Sequence, residues 1–426
     1  MDRERGPAAI DDNNVGIIAE YNPLHNGHKY HIARARELSG ADGVVVVLSS
    51  SFTQRGEPAL LSRWDRAECA LPAGADLVLG LPAFFSCHSA GAFAAGGVDT
   101  LAATGIVRFI SFGMEDPVFD ISQLLDILVQ EPITFKDSLK KHLNSGFSYV
   151  KARALALSEV DPCYGEFISR PNNSLAVAYL ERIRRSSLDI RCIPVQRMGG
   201  GYHDSTLPPP EGGVVLAGAS AIRRSLVEKG LESVLASMPT TTSDILARRL
   251  REGRCATSNE ILFRIARAML LGTPRESLSA YSGMSEGVGN RLSRLAAECG
   301  SWEEFVGRCV TGRYTRGRIQ RLVIHLLLGI GQEENIRLQR SGPAYIQPLA
   351  ANDRGVEMLR TMRKRASFPL RGKPLLHGRG PERELASIET RASGLWECVA
   401  DSFLPGSEKR RRFFTGRGCA AEGSAP

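Results

Sequence analysis

The sequence predicts an α/β fold in which a parallel sheet, covered by helices on both faces, is followed by a mainly helical C-terminal domain. Short apolar runs at 15–19, 43–49, 76–81 and 106–112 alternate with segments of helix length. Continuous apolar strands that alternate with helices are typical of a buried parallel sheet. Beyond about residue 230 the alternation is lost, and amphipathic helical segments separated by glycine and proline follow.

The composition is that of a globular protein and excludes several classes. At 426 residues the chain is too long for one ordinary core. No apolar run is long enough to span a membrane and no signal peptide is visible, so we expect a cytoplasmic protein without a membrane partner. Nine cysteines without a C-x-x-C pair predict reduced thiols and argue against a zinc site. The net charge of +8 suits a polyanionic partner; the alternative is that the excess charge is spread over the whole surface. The oligomeric state stays open.

The order of elements divides the N-terminal half. Residues 1–14 are expected to be disordered, and 15–230 to form the α/β domain. Within it, 118–158 interrupts the alternation with two or three short helices, as part of a helical insert at about 118–165. A helix near 173–185 and a strand near 190–195 complete the domain, and a loop rich in glycine and proline leads to the next helix.

The C-terminal half is expected to be mainly helical over 231–405. Its predicted helices lie at 243–252, 258–271, 285–298, 302–311 and 316–328. Residues 340–400 fit a further small α/β or helical unit. The tail 406–426, with its run of basic residues, is predicted to be disordered.

Two histidines stand where the first strand gives way to a helix. The turn Glu20–Pro23 is followed by His25, Gly27 and His28. A helix start after a parallel strand binds phosphate, because its free N–H groups and its dipole point at the ligand. The two imidazoles share one side of the first turn and can donate hydrogen bonds to a phosphate, while the glycine lets a nucleotide approach the backbone. The alternative is a pair of solvated histidines on a surface turn.

Three further segments follow strands or begin helices where ligands bind in such sheets. Gln54–Glu57 offers polar groups between a strand and a helix, or is a solvated loop. Gly113 lets adenine or ribose lie against the backbone, or is a tight strand exit. Asn172 and Asn173 can contact a nucleotide, although capping of their own helix accounts for one of them.

A second phosphate site is predicted further along the chain. Arg197–Asp204 is a turn of small residues, and Gly218–Arg224 places Ser220 at a helix start with Arg223 one turn on. Arginine suits the β- and γ-phosphates, whereas an ordinary capped helix with surface arginines is the alternative. The two phosphate sites together are the halves of an adenylyl-transfer site, which needs positioning and positive charge at the α-phosphate. Mg²⁺ would arrive with ATP, since no zinc-type ligand cluster is present.

The chain resembles the bacterial tRNA(Met) cytidine acetate ligase family, part of the HIGH-motif nucleotidyltransferase superfamily, in the segments GIIAEYNPLHNGHKYH, QRGEPA, GADLV, RPNN, GYHD, ASAIR and TGRYTRGRIQRLVIHLLLG. The resemblance covers about 15–360 and implies a Rossmann-like domain. It implies activation of acetate by ATP to acetyl-adenylate, with release of pyrophosphate. The acetyl group then passes to the wobble cytidine in the anticodon of elongator tRNA(Met), giving N4-acetylcytidine.

The same resemblance implies the site residues. His25 and His28 would stabilise the phosphate, with Ser220 and Arg223 as the other catalytic residues. The ATP-binding set would be Ile18, Ala19, Glu20, Tyr21, Asn22, Pro23, Leu24, His25, Asn26, Gly27, His28, Lys29, Tyr30, His31, Gly113, Asn172, Asn173 and Arg197. The chain departs from the family pattern at Ser50 and Ser51, and at Gly80, where the family usually has glutamate. A changed metal or acetate contact would alter activity.

A basic segment predicts the RNA contact. Between Arg308 and Arg321 the sequence has five arginines, one tyrosine and no acidic residue. Such a segment fits phosphate contact on folded RNA, or is a solvated helix face. The RNA-binding residues predicted from it are Arg313, Arg316, Arg318 and Arg321.

Two other functions compete with the ligase. A small-molecule adenylyltransferase uses the same two phosphate sites, but needs little beyond the α/β domain, whereas some two hundred residues follow here. A non-catalytic RNA-binding protein with a nucleotidyltransferase fold is the other, which His25, His28 and Arg223 disfavour and Gly80 favours.

Overall fold

The protein is built on a seven-stranded sheet. The structure, a computed structural model, describes residues 13–197, 215–373, 375, 377–400 and 413–416. The strands are β1 Asn14–Ala19, β2 Gly43–Leu48, β3 Leu77–Gly80, β4 Val107–Met114, β5 Arg191–Gln196, β6 Gln347–Ala351 and β7 Phe414–Thr415. Their order is β5-β4-β1-β2-β3-β6-β7, and β6 alone among these strands runs antiparallel to the neighbour before it, β3.

Nineteen α-helices and one 3-10 helix are found in the described residues. The helices of the first half are α1 Asn26–Ser39, α2 Arg63–Ala70, α3 Ala83–Ser86, α4 Ala90–Ala103, α5 Ser122–Gln130, α6 Ile133–Asn144, α7 Tyr149–Ser158, α8 Pro162–Ser169 and α9 Pro171–Arg185. Those of the second half are α10 Ala219–Lys229, the 3-10 helix Leu231–Ser237, α11 Thr240–Arg251, α12 Glu260–Gly272, α13 Arg275–Leu278, α14 Val288–Glu298, α15 Trp302–Cys309, α16 Arg316–Leu327, α17 Gln332–Ser341, α18 Asp353–Arg365 and α19 Pro381–Val399. None of these helices is long and apolar enough to cross a bilayer.

The four strands expected from the apolar runs and the fifth expected near 190–195 are confirmed as β1 to β5. Residues 118–158, expected to hold two or three short helices, contain three, α5 to α7, and α8 follows them. Asn14, expected in the disordered N-terminus, instead belongs to β1 and pairs with Gly43. The rest of that segment, 1–12, lies outside the described residues.

Two strands come from parts of the chain where none was expected. β6 lies in the region predicted to be mainly helical, and β7 lies in the tail predicted to be disordered. β6 reads QPLAA and has none of the β-branched or aromatic residues that mark a strand. Burial between β3 and β7 therefore decides its conformation. The rest of the tail and Met198–Asp204 lie outside the described residues.

The sheet buries one apolar layer on each face. Along β2, Val45 and Val47 face one core cluster while Val44 and Val46 face the other, as the two-residue period of a strand requires. Residues beyond 230 contribute to both clusters, among them Trp396 to the first. The boundary at residue 230 stays a prediction, and described contacts cross it.

Candidate nucleotide-binding site

A pocket opens at the point in the sheet where the order of the strands reverses. β1 is followed along the chain by its neighbour β2, whereas its other neighbour is β4, so the carboxyl ends of β1 and β4 form the crevice typical of ligand sites in open α/β sheets. The lining includes the end of β1, the starts of α1, α9 and α10, and the loop after β2. Of the predicted residues it contains Ile18, Ala19, Glu20, Tyr21, Asn22, His25, Gly27, His28, Tyr30, His31, Gly113, Asn172, Arg197, Ser220 and Arg223.

The two histidines of the first helix start are stacked on each other. His25 is the N-cap of α1, and its Nδ1 accepts the Gly27 N–H at 3.1 Å. The His25 N–H in turn donates to Nδ1 of His28 at 3.3 Å. The ring centroids are 3.7 Å apart with 28° between the planes. Because both Nδ1 atoms accept, each neutral ring carries its proton on Nε2 and can donate it to a ligand.

Burial keeps these imidazoles neutral. It lowers the pKa of His25 to about 3, with a smaller effect from the Arg197 guanidinium. Burial likewise holds the pKa of His28 well below its ordinary value of 6.5, and the pKa of His31 falls to about 4. Nε2 of His31 lies 3.0 Å from the Ser111 hydroxyl. The site therefore offers neutral N–H donors near neutral pH.

The turn between β1 and α1 is fixed by buried groups. The fully buried Arg66 donates to the Glu20 and Ser50 carbonyls. The Asn22 side chain accepts the Leu60 N–H at 2.7 Å. A rigid turn holds the donors of α1 in place before a ligand arrives.

Five residues of the predicted ATP-binding set are not among those that line the pocket, and their contact with ATP stays a prediction. They are Pro23, Leu24, Asn26, Lys29 and Asn173. Leu24 is only 1% exposed because it packs into the core. The side-chain amide of Asn26 donates to the Ala236 carbonyl at 2.9 Å and to the Val215 carbonyl at 3.2 Å.

The start of α10 forms the opposite wall. Its N-cap is Gly218 rather than Ser220, no side-chain cap is present, and Ser220 is exposed as the second residue of the helix. Ser220 thus lies at the helix start as expected, and the first N–H groups have no capping side chain. Arg223 donates to the Asn22 carbonyl and to the Glu57 carboxylate, each at 2.8 Å. A phosphate at this helix start meets both a dipole and an arginine.

The third wall carries Gly113 and Arg197. Arg197 donates to Oδ1 of Asn172 at 2.6 Å. A Cβ on Gly113 would lie 3.2 Å from Cγ of Arg197, so a larger side chain would displace the arginine. Asn173 is fully buried, and its Oδ1 accepts the Glu115 N–H at 2.9 Å.

Neither asparagine caps α9. The Glu115 carboxylate accepts the N–H groups of Asn172 and Asn173 at 3.2 and 2.8 Å, which replaces the expected capping by an asparagine.

The loop after β2 also lines the pocket, through Gln54, Arg55 and Glu57. It was a candidate in the sequence but not part of the predicted site. The Gln54 N–H donates to the Glu20 carboxylate at 2.7 Å, and burial raises the pKa of Glu20. Phe93 and Tyr179 complete the lining from helices α4 and α9. No sequence signal distinguishes such apolar lining residues from core residues.

Ser50 and Gly80, at which the chain departs from the family pattern, both lie next to one buried ion pair. A Cβ on Gly80 would lie 3.6 Å from the Arg63 guanidinium. Arg63 pairs at 3.0 Å with Glu389 of α19, and both are buried. The Ser50 hydroxyl donates to the same carboxylate. A carboxylate from far along the chain thus stands beside Gly80.

The basic segment is compensated by acidic residues from neighbouring elements. Arg313 lies 3.6 Å from Glu286, Arg316 pairs with Glu303 at 2.6 Å, and Arg308 pairs with Glu298. The expectation of uncompensated charge is wrong because it considered only neighbours in sequence. Arg318 lies 4.7 Å from the Tyr314 ring centroid.

Arg321 also contacts the pocket loop. It is half-buried, and it donates to the Gln54 carbonyl at 3.0 Å. Its contact with RNA stays a prediction. Arg313, Arg316 and Arg318 remain predicted RNA contacts.

The described residues contain no group of three or more histidine, cysteine, aspartate or glutamate side chains that could hold a metal ion. Of the pocket carboxylates, Glu20 is occupied by the Gln54 N–H and Glu57 by Arg223. The described side chains thus do not fit a resident metal.

The chain is similar to known proteins in sequence and in fold. The family described as HIGH Nucleotidyl Transferase matches residues 13–410. A protein of Acetivibrio thermocellus named tRNA(Met) cytidine acetate ligase is 36% identical over 365 residues, which are 84% of this chain and 87% of that protein. The protein of the same name from Clostridium perfringens is 33% identical, over 85% of this chain and 90% of its own.

Two solved structures of Thermotoga maritima TmcAL are also similar. The apo form has a TM-score of 0.88 and 29% identity, over 95% of this chain and all of the other. The form bound with alpha-thio ATP has a TM-score of 0.84, at the same identity and coverage. With the family match over most of its length, the chain belongs to the HIGH nucleotidyl transferase family and, within it, to the tRNA(Met) cytidine acetate ligases.

Proposed function

We propose that the protein binds ATP in this pocket and uses it to activate acetate. The observation that carries the proposal is the pairing of two phosphate-binding elements across one pocket. The stacked neutral His25 and His28 lie at the start of α1, and the uncapped start of α10 with Arg223 lies opposite. The solved relative bound with alpha-thio ATP supports the choice of nucleotide.

The chemistry is an in-line displacement at the α-phosphate. An acetate oxygen forms a bond to the α-phosphorus while the bond to the β-phosphate oxygen breaks, so pyrophosphate leaves and acetyl-adenylate remains. Negative charge grows on the phosphate oxygens in this step, and the Nε2–H groups of His25 and His28 donate to it. Ser220 and the first N–H groups of α10, with Arg223, would hold the β- and γ-phosphates.

The nucleotide would lie between these elements and the third wall. We assign the adenosine part to Gly113, Asn172 and Arg197, because Gly113 leaves the backbone open to a flat ring. Mg²⁺ would enter with ATP, held by phosphates and water, since the described side chains do not form a site for it.

We further propose transfer of the acetyl group to the wobble cytidine of elongator tRNA(Met). The N4 amine would attack the acetyl carbon, the bond to the AMP oxygen would break, and the amine would lose a proton, giving N4-acetylcytidine and AMP. The printed names of the relatives support this substrate. By the same reasoning the protein would work in the cytoplasm.

The test is ATP–pyrophosphate exchange with purified protein and Mg²⁺, with and without acetate and tRNA(Met). Exchange that requires acetate is expected, and His28→Ala should abolish it while tRNA binding stays nearly intact. His377→Ala, at an exposed position, is the matched control. Absence of exchange with both acetate and tRNA present would refute the proposal, as would equal loss of ATP and tRNA binding in His28→Ala.

A further inference from the structure

The helical insert touches the basic segment through two loops. The loop between α6 and α7 includes Ser148, whose N–H donates to the Gly312 carbonyl at 2.9 Å. Gly146 of the same loop is also close, since its carbonyl would lie 3.5 Å from a Cβ on Gly312. The loop 145–148 with the first turn of α7 (149–151), and the loop 310–315, therefore form one continuous surface, which we call the insert junction.

The insert junction exposes apolar rings beside cations. Tyr149 is 55% exposed and Phe147 is 37% exposed, although both are large side chains that a core would ordinarily bury. Lys151 is exposed and has no ion-pair partner among the described residues. Across the contact, Arg313 has only a 3.6 Å pair with Glu286, and both side chains are at least half exposed. Exchange of that glutamate for a phosphate costs little because exposed ion pairs are weak.

The insert junction continues toward the nucleotide pocket. The loop 310–315 leads into α16, where a Cβ on Gly317 would lie 3.9 Å from the carbonyl oxygen of Arg55. Arg55 lines the pocket. An RNA whose target base enters the pocket can therefore pass over the start of α16 and reach the insert.

We propose that the insert junction binds unpaired nucleotides next to the target base, an inference that rests on the proposed function. Tyr149 and Phe147 would stack on bases, and Lys151 and Arg313 would contact the phosphates. Unpaired nucleotides are favoured over a duplex because a stacking ring needs a free base face. RNA is favoured over an acidic protein because cations beside flat rings match a polyanion that carries aromatic bases.

The first test measures RNA binding by the full chain. A fluorescent anticodon stem-loop of tRNA(Met) and a fully paired hairpin of equal length are titrated with wild-type protein and Tyr149→Ala. Loss of one base stack should weaken binding of the stem-loop between about fivefold and about 150-fold. Binding of the paired hairpin should change little. Ile133→Ala, also in the insert and 77% exposed, is the matched control and should bind as wild type does.

The second test separates the phosphate contact. Lys151→Ala should reduce the slope of log binding constant against log salt by about 0.7–0.9, the value for one phosphate contact. Lys136→Ala removes an exposed lysine near the start of α6, at the end of that helix away from the insert junction. It should leave the slope unchanged. Thermal unfolding of each variant establishes that it is folded.

Three outcomes would overturn the inference. One is wild-type affinity of Tyr149→Ala for the stem-loop, and another is an equal loss on the paired hairpin. The third is a lower molecular mass in solution for Tyr149→Ala than for wild type. That result would make the insert junction an interface between protein chains. If wild type shows acetate-dependent exchange and RNA binding while the variants have no effect, only this surface is wrong. If wild type shows neither, the proposed function fails as well.

Discussion

Lowering the pH from 7.5 to 5 should destabilise the protein by about 4 kcal/mol through His88 and His325 alone. Both rings are buried, with their centroids 5.2 Å apart. Nε2 of His325 lies 2.7 Å from the Cys87 carbonyl, which can only accept, so this nitrogen carries the proton. Its Nδ1 accepts from the Ser282 hydroxyl at 3.1 Å.

His88 has the same arrangement. Its Nδ1 accepts the Ser89 N–H at 2.7 Å, and its Nε2 donates to Oδ1 of Asn335 at 2.9 Å. A second proton on Nδ1 would face the Ser89 N–H, so the charged ring loses this hydrogen bond as well as its hydration.

The magnitude follows from the two pKa values. Burial lowers the pKa of His88 to about 4 and that of His325 to about 3, from the 6.5 that holds in the unfolded chain. A pKa lowered by folding gives stability that is present above pH 6.5 and lost as the pH falls. At pH 5 the unfolded chain gains about 1.5 × 1.36, or about 2, kcal/mol per histidine, while the folded chain gains almost nothing.

The assay is urea denaturation at pH 7.5 and 5, for wild type and the double variant H88Q/H325Q. The difference in unfolding free energy between the two pH values should be smaller by about 4 kcal/mol in the double variant. His377→Gln, which removes an exposed imidazole, is the control and should keep the wild-type difference. A double variant that loses as much stability as wild type between the two pH values would refute the reasoning.

Three other substitutions test the site. Gly56 has φ +78, and a Cβ there would lie 2.5 Å from the Arg321 nitrogen, so Gly56→Ala should cost at least about 1 kcal/mol in urea denaturation and lower the rate of exchange; unchanged values would contradict this. Gly113→Val should raise the Kd for ATP by more than about tenfold in calorimetry, because the new side chain displaces Arg197; an unaltered Kd would exclude the contact. Arg316→Ala should weaken tRNA binding most at low salt and leave the ATP affinity unchanged, and a salt-independent loss would argue against a phosphate contact.

The sequence predicted the parts of the fold whose signals are local. Val44–Val47 is apolar throughout and flanked by helical segments, so β2 and its parallel neighbours could be assigned. His25 and His28 share one helix turn, and their stacking depends on that turn alone. β6 could not be predicted, because its small residues become a strand only when β3 offers an edge.

The rest of the site depends on contacts between distant residues. Glu115 caps α9 from the end of β4, and Arg321 binds the carbonyl of Gln54, although 267 positions separate these two. The charge of Arg316 is balanced by Glu303 on another helix. Residue type and spacing carry no information about such pairs, so the basic segment looked less compensated than it is.

The antiparallel strand at the edge of the sheet has a consequence for synthesis on the ribosome. β3 pairs with β6, and the buried Arg63 pairs with Glu389 of α19. A nascent chain that has folded β1 to β5 still exposes the apolar edge of β3, and the carboxylate of Glu389 has not yet reached Arg63. At ~5–20 residues per second the closing segments follow on the order of tens of seconds later. During this interval the free edge can pair with other chains, because an unpaired strand presents its open N–H and C=O groups to them.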